Sequence, residues 1–265
     1  MTVVETYPTL AEAARAIGSD AAYLGGGTVM MREVNAGEAP ARLVRTTDPA
    51  LGQIRAAGDA ISLGAGVTMA AILADSGLEF LHPVARQIGS PQVRNMGTVG
   101  GNLFSPHPYG DFAVALLALD ARVTMAAGGA RPIEELLRGR EHSPGLVASI
   151  EVPRPGPGSF GFRKVSRVKP KGVSVITIAA LVTRTGGRVQ NARIAWGGMA
   201  PIPVRGAAAE RAMEGQMIDD AMLDRLTRNA AEGLDPPTDP LASSWYRREV
   251  AGVHLVRLLR SMEGR

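Results

Sequence analysis

Residues 25–29 read Gly-Gly-Gly-Thr-Val. They follow a short strand signal at 21–24 and run into a helical pattern at 29–35 that stops at Gly37. A strand that empties into three glycines and then starts a helix must turn sharply there. Glycine reaches positive φ without steric penalty and lets a partner approach the backbone closely. A second segment, 94–102, reads Arg-Asn-Met-Gly-Thr-Val-Gly-Gly-Asn and is expected to be another glycine loop. Both segments can be tight turns. They can also be nests of backbone N–H groups that wrap an anion such as a pyrophosphate. Thr28 and Thr98 each add a hydroxyl, Asn102 an amide, and Asp111 follows soon after. That combination favours phosphate binding.

Neither segment is a P-loop, because Gly-Lys-Ser/Thr is missing. Residues 64–69 begin like a dinucleotide fingerprint but lack its third glycine, and read instead as a strand end and turn. Asp111 opens an apolar helix at 112–119 and is expected to cap it. It could also accept hydrogen bonds from a ribose or ribityl hydroxyl.

Other elements follow from periodicity and punctuation. Thr9 and Glu12 form a capping box for a helix that Gly18 stops. Strands are expected near 43–45 and 61–63, a helix capped by Thr68, a short helix at 83–88, and a hairpin from 122–125 across Gly128-Gly129. Pro153-Arg-Pro-Gly-Pro-Gly158 reads as a linker. Beyond it come strands at 160–165, 173–183 and 189–196, the last two joined by Gly186-Gly187, then helices at 205–213, 219–232 and 245–262. The fold class is α+β. The expected division is 1–155, with subdomains of about 1–55 and 56–155, and a second α+β domain over 160–265.

The chain of 265 residues has no cysteine, which excludes disulfides, thiolate nucleophiles and iron–sulfur ligation by this chain. Its net charge is only +4, and its cations are spread among 25 acids. Only Lys164, Lys169 and Lys171 are lysines. The group Arg163, Lys164, Arg167, Lys169, Lys171 reads as solvated strand and loop rather than an RNA contact. Aromatics are scarce at 4%, leaving little for base stacking. The four histidines, His82, His107, His142 and His254, lack metal-ligand spacing, so no metal site is expected. His107 alone lies beside the second segment. No acid, base or nucleophile stands out as catalytic, which suits a protein whose cofactor carries the chemistry. The N-terminus lacks a signal-peptide pattern and no stretch reaches membrane-span length, so a cytoplasmic location is expected.

Several pieces, in order, resemble the FAD-binding (medium) subunit of the molybdenum hydroxylases, the family of carbon monoxide dehydrogenase and the xanthine dehydrogenase-like enzymes. They are the two glycine segments, Ser-Pro-His-Pro-Tyr-Gly-Asp ending at Asp111, and Leu-Leu-Ala-Leu-Asp ending at Asp120. Later landmarks are Ser-Ile-Glu-Val-Pro ending at Pro153, Phe-Arg-Lys-Val-Ser-Arg at 162–167, Gly-Gly-Met-Ala-Pro at 197–201, and Ser-Ser-Trp-Tyr-Arg-Arg at 243–248. The resemblance implies a p-cresol methylhydroxylase-type FAD fold of two subdomains plus a C-terminal α+β domain.

Carried over residue by residue, it implies that Gly25, Gly26, Gly27, Thr28 and Val29, with Thr98, Gly100, Gly101 and Asn102, hold the FAD pyrophosphate. Asp111 would bind an FAD hydroxyl, and Val147 and Lys164 would lie at the flavin end, although a one-residue shift would choose Arg163. The implied partners are a large molybdopterin subunit and a small [2Fe-2S] subunit, in a dimer of heterotrimers. Electrons would pass from the clusters to the FAD and on to NAD⁺, oxygen or a quinone. The chain departs from the family in having Val29 where Asp is common, in being short, and in lacking the cysteines some relatives carry. Arg247, Arg248, Arg257 and Arg260 are expected to be solvated helix residues, the other reading being contacts to an acidic partner. A stand-alone FAD-dependent oxidoreductase and a non-catalytic nucleotide-binding module are the rival readings.

Overall fold

A computed structural model describes residues 2–140, 145–168 and 172–263. The chain opens with β1 (Val3–Tyr7), α1 (Leu10–Ala16), β2 (Ala21–Tyr23), α2 (Met30–Ala36) and β3 (Arg42–Thr46). The strands form a parallel sheet in the order β1-β3-β2. The capping box on α1 is present, with Thr9 and Glu12 satisfying each other's backbone N–H. Because the strands are parallel, the segments that leave them gather at one edge of the sheet, and residues 25–29 are among them.

The next stretch contains β4 (Ile54–Ala57), β5 (Ala60–Gly64), α3 (Met69–Ala74), α4 (His82–Arg86), α5 (Pro91–Met96), α6 (Val99–Leu103) and α7 (Asp111–Ala118). It ends with β6 (Arg122–Met125), β7 (Ala130–Pro132), α8 (Ile133–Gly139) and β8 (Val147–Pro153). These strands pair antiparallel in the order β4-β5-β8-β6-β7. The expected loop at 94–102 is instead two short helices, α5 and α6, joined at Gly97 and Thr98. Pro91 at the first helical turn and the Thr98 side chain as a cap favour helix there despite the glycines. Neither β4 nor α8 had a clear sequence signal, since both are short and weakly periodic.

The last stretch holds β9 (Phe160–Val165), β10 (Ile176–Thr185), β11 (Arg188–Gly197) and β12 (Val204–Arg205), then α9 (Ala207–Met213), α10 (Asp220–Asn229) and α11 (Ser244–Glu263). The sheet order is β12-β11-β10-β9, antiparallel throughout. Gly186 and Gly187, at φ 58° and 79°, make the expected two-residue hairpin turn.

Two apolar cores result, and the sheet of β9–β12 serves both. Phe160 and Phe162 of β9 belong to the first core, whereas Gly161 packs against Leu258 and Met262 of α11. Alternation along a strand puts successive side chains on opposite faces, so β9 joins the two cores. All eight residues of α7 are buried, and the helix packs against β10 and β11. Its nearly all-round apolar sequence reflects that position. Among the described residues, no helix is long and apolar enough to cross a membrane.

Candidate functional site

The Leu24 N–H donates to the Val44 carbonyl (2.8 Å), which holds the chain on the parallel sheet up to the first glycine. Past it, the N–H groups of Gly25, Gly26, Gly27, Thr28 and Val29 donate to no acceptor among the described residues. The Gly27 carbonyl accepts from the Met31 N–H (3.0 Å) and starts α2. Gly27 itself sits at φ 69°, where other residues are strained. The Thr28 hydroxyl is also free among the described residues. None of the five residues is buried, so water satisfies these donors in the free chain, and an anion with several acceptor oxygens matches them as a set.

The second glycine segment lies against the first. A Cβ on Gly26 would come within 1.7 Å of the Met96 carbonyl oxygen, and one on Gly25 within 3.3 Å of Thr98 Oγ1. The N–H groups of residues 99–102 in the second segment, however, are spoken for. Val99 donates to the Val67 carbonyl (2.9 Å), Gly100 to Ala65 (2.8 Å) and Asn102 to Thr98 (3.0 Å). Gly101 donates to Thr98 Oγ1 (3.0 Å). Gly100 is buried, and a Cβ there would meet Ala65 Cβ at 2.8 Å. Its missing side chain serves packing, and it offers no N–H to a phosphate. Asn102 Oδ1 accepts from the Ala113 N–H (3.0 Å), tying α6 to the start of α7.

Asp111 is not the helix cap. Gly110, at φ 92°, holds that position, and Asp111 is the first residue of α7. The Asp111 carboxylate is buried and already engaged. Oδ1 accepts from the Ser174 hydroxyl (2.6 Å) and the Thr177 hydroxyl (2.5 Å). Oδ2 pairs with Lys164 Nζ (2.9 Å), which also donates to the Gln87 carbonyl (3.1 Å). Lys164 is therefore not a solvated strand residue. Arg163 lies on the other face of β9, where its Nε donates to His254 Nδ1 of α11 (3.4 Å). Burial, then the Arg163 and Arg257 charges, push His254 down to about 4. Val147 begins β8 with its side chain in the first core, next to Ala148, whose carbonyl accepts from the Ala65 N–H (2.9 Å).

Arg247 departs furthest from its expected solvated role. It is fully buried. Its guanidinium donates to both Asp239 oxygens (2.9 and 2.8 Å), to the Val175 carbonyl (3.1 Å) and to the Pro237 carbonyl. His107 Nε2 lies 2.7 Å from Asp239 Oδ2, so the loop before α7 is fastened to the C-terminal segment. Burial alone would raise the Asp239 carboxyl, but the hydrogen bonds from Arg247 and His107 outweigh it and hold it far below the usual range. Arg248 and Arg260 make exposed pairs with Asp235 and Asp220. Lys169, Lys171 and His142 lie outside the described residues.

The pattern for the FAD binding domain in molybdopterin dehydrogenase matches residues 2–155. This chain belongs to that family. The pattern for the CO dehydrogenase flavoprotein C-terminal domain matches residues 161–262 of this FAD-binding subunit. Its relatives include the glyceraldehyde dehydrogenase medium chain of Sulfolobus acidocaldarius, 30% identical over 77% of this chain and 76% of the relative. The carbon monoxide dehydrogenase medium chain of Afipia carboxidovorans is 28% identical over 94% and 91%. Among solved structures, Cu,Mo-CO dehydrogenase superposes with a TM-score of 0.90 at 25% identity, covering 99% of this chain and 98% of that one. Quinoline 2-oxidoreductase from Pseudomonas putida 86, at 23% identity and a TM-score of 0.87, shares the fold over 100% and 98%.

FAD is the cofactor of this molybdenum hydroxylase flavoprotein subunit. The residues present fit it. Open donors at 25–29 suit a pyrophosphate, and Lys164 retains one Nζ hydrogen without an acceptor among the described residues. Ser174 and Thr177 were invisible to sequence reasoning. They lie 63 and 66 positions from Asp111, and no local pattern links them to it.

Proposed function

We propose that this subunit holds FAD as the electron-relay station of a larger complex, with substrate oxidised in another polypeptide. The observation that carries this reading is the row of five open N–H groups at Gly25–Val29. In it, the pyrophosphate is held by those donors and the Thr28 hydroxyl, with Thr98 and Gly101 forming the opposite wall. Asn102 and Gly100 support that wall through packing and hydrogen bonds. Lys164 faces the flavin end from β9, and Asp111 acts chiefly on Lys164. Val147 lines the same end through its backbone.

Bound FAD supplies exchange of one or two electrons, which suits a junction between single-electron clusters and a two-electron acceptor. The chain's own residues bind and orient it. The partners in this reading are a large molybdopterin subunit and a small [2Fe-2S] subunit, assembled as a dimer of heterotrimers in the cytoplasm. The acceptor is NAD⁺, oxygen or a quinone. A division at the 153–158 linker, with an FAD-binding part before it and a flavoprotein C-terminal part after it, accompanies the proposal.

Anaerobic titration of the purified full chain with dithionite is the direct test. Bleaching of a bound flavin, and its reoxidation by one acceptor class only, are expected. Turnover of a small organic substrate by the isolated chain would instead make it a self-sufficient oxidoreductase.

A further inference from the structure

The Lys164–Asp111 pair bridges β9 and the start of α7, and its side chains are each 9% exposed. A carboxylate so buried needs its lone pairs satisfied and its rotamer fixed. Ser174 and Thr177 do both. Their hydroxyls converge on Oδ1, leaving Oδ2 for Lys164. An ammonium has three hydrogens. For Lys164, Oδ2 and the Gln87 carbonyl take two, and the third has no acceptor among the described residues.

We propose that Ser174 and Thr177 are positioning residues for the flavin end of the site: by holding Asp111 Oδ1 they keep Lys164 aimed with one hydrogen free for the cofactor. The proposal rests on the reading that Lys164 faces the flavin. Without the two hydroxyls, Oδ1 is a buried acceptor with no donor, and the carboxylate turns to take both oxygens to the ammonium. The free hydrogen is then drawn off the ligand. Asp111, Ser174 and Thr177 thus act through Lys164 rather than by touching FAD. Such support of a contacting residue is what sets a site's precision.

The test uses the full chain reconstituted with FAD, in Ser174→Ala, Thr177→Val, the double variant, Thr177→Ser and Lys164→Met. The readouts are FAD affinity by fluorescence, the midpoint potential of the bound flavin, and melting temperature. Lys164→Met is expected to weaken FAD binding and lower the potential, because a cation beside the flavin favours its reduced, more negative form. Loss of the hydroxyls is expected to move both in the same direction, with affinity falling about tenfold in the double variant. Thr177→Ser should restore both values, since it keeps the donor. A single hydroxyl variant with only a lowered melting temperature, alongside a clear Lys164→Met effect, overturns the positioning role and leaves Lys164 at the flavin. No effect of Lys164→Met on affinity or potential overturns both readings.

Discussion

The two glycine segments look alike in sequence and differ in what their backbones do. At 25–29 the chain has left a parallel sheet, and its N–H groups meet no acceptor among the described residues. At 98–102 it has wound into a short helix, and those of residues 99–102 are used within the chain. Glycine is needed in both places for different reasons. Gly26 lets two backbones touch, Gly27 adopts a left-handed φ, and Gly100 lets α6 sit on Ala65. Glycine count alone therefore says nothing about which segment faces a ligand. The free donors do.

Substitutions can break that contrast, beginning with the most severe. Gly26→Val places a Cβ on the Met96 carbonyl oxygen and forces the two segments apart. A loss of about 3 kcal/mol or more is expected, together with FAD binding, read by thermal melting and flavin content. Gly100→Ala meets Ala65 and should cost about 1–3 kcal/mol of stability. The folded fraction should still bind FAD within a few-fold of normal. Equal loss of FAD affinity in that variant would show that Gly100 contacts the cofactor directly rather than supporting its neighbours.

His254 lies away from both segments and supplies a stability control. Its folded pKa is about 4, below the ordinary histidine value, so the unfolded chain takes up the proton first as pH falls. Its contribution is present above about pH 6.5 and is lost as pH drops towards 4. After allowance for solvent screening this amounts to about 1–2 kcal/mol. His254→Gln should flatten that part of the stability–pH curve in urea titrations while leaving FAD affinity alone. The smallest effect is expected from Thr28→Val. Removing one free hydroxyl should weaken FAD binding by about 1 kcal/mol, seen as a severalfold rise in Kd with no change in melting temperature.

Much of the secondary structure could be read from local chemistry. The Thr9 capping box, the Gly186-Gly187 hairpin, the stop at Gly37 and the apolar α7 all follow from side chains within a few positions of each other. The errors cluster where a partner is distant. Asp111 looks like a cap because an acid precedes an apolar helix, yet its carboxylate belongs to Lys164 of β9, to Ser174, and to Thr177 of β10. Trp245 and Arg247 invert the usual expectation: the tryptophan is 68% exposed and the arginine fully buried. Hydropathy predicts the reverse. The inversion is stable because Asp239 and two backbone carbonyls satisfy the guanidinium in place of water.

The sequence by itself determined the order of the longer helices and the C-terminal strands, the absence of cysteine chemistry, and the strand–glycine–helix turn at 21–36. These depend on backbone freedom and periodicity, which act between near neighbours. Only the tertiary structure decided which glycines keep their donors open, which face of β9 carries Lys164 to Asp111, and which arginine is buried. Each of those depends on a hydrogen-bond partner or packing surface brought from a distant part of the chain. No local pattern records such a partner, because burial and pairing exist only once the two cores have closed on the sheet they share.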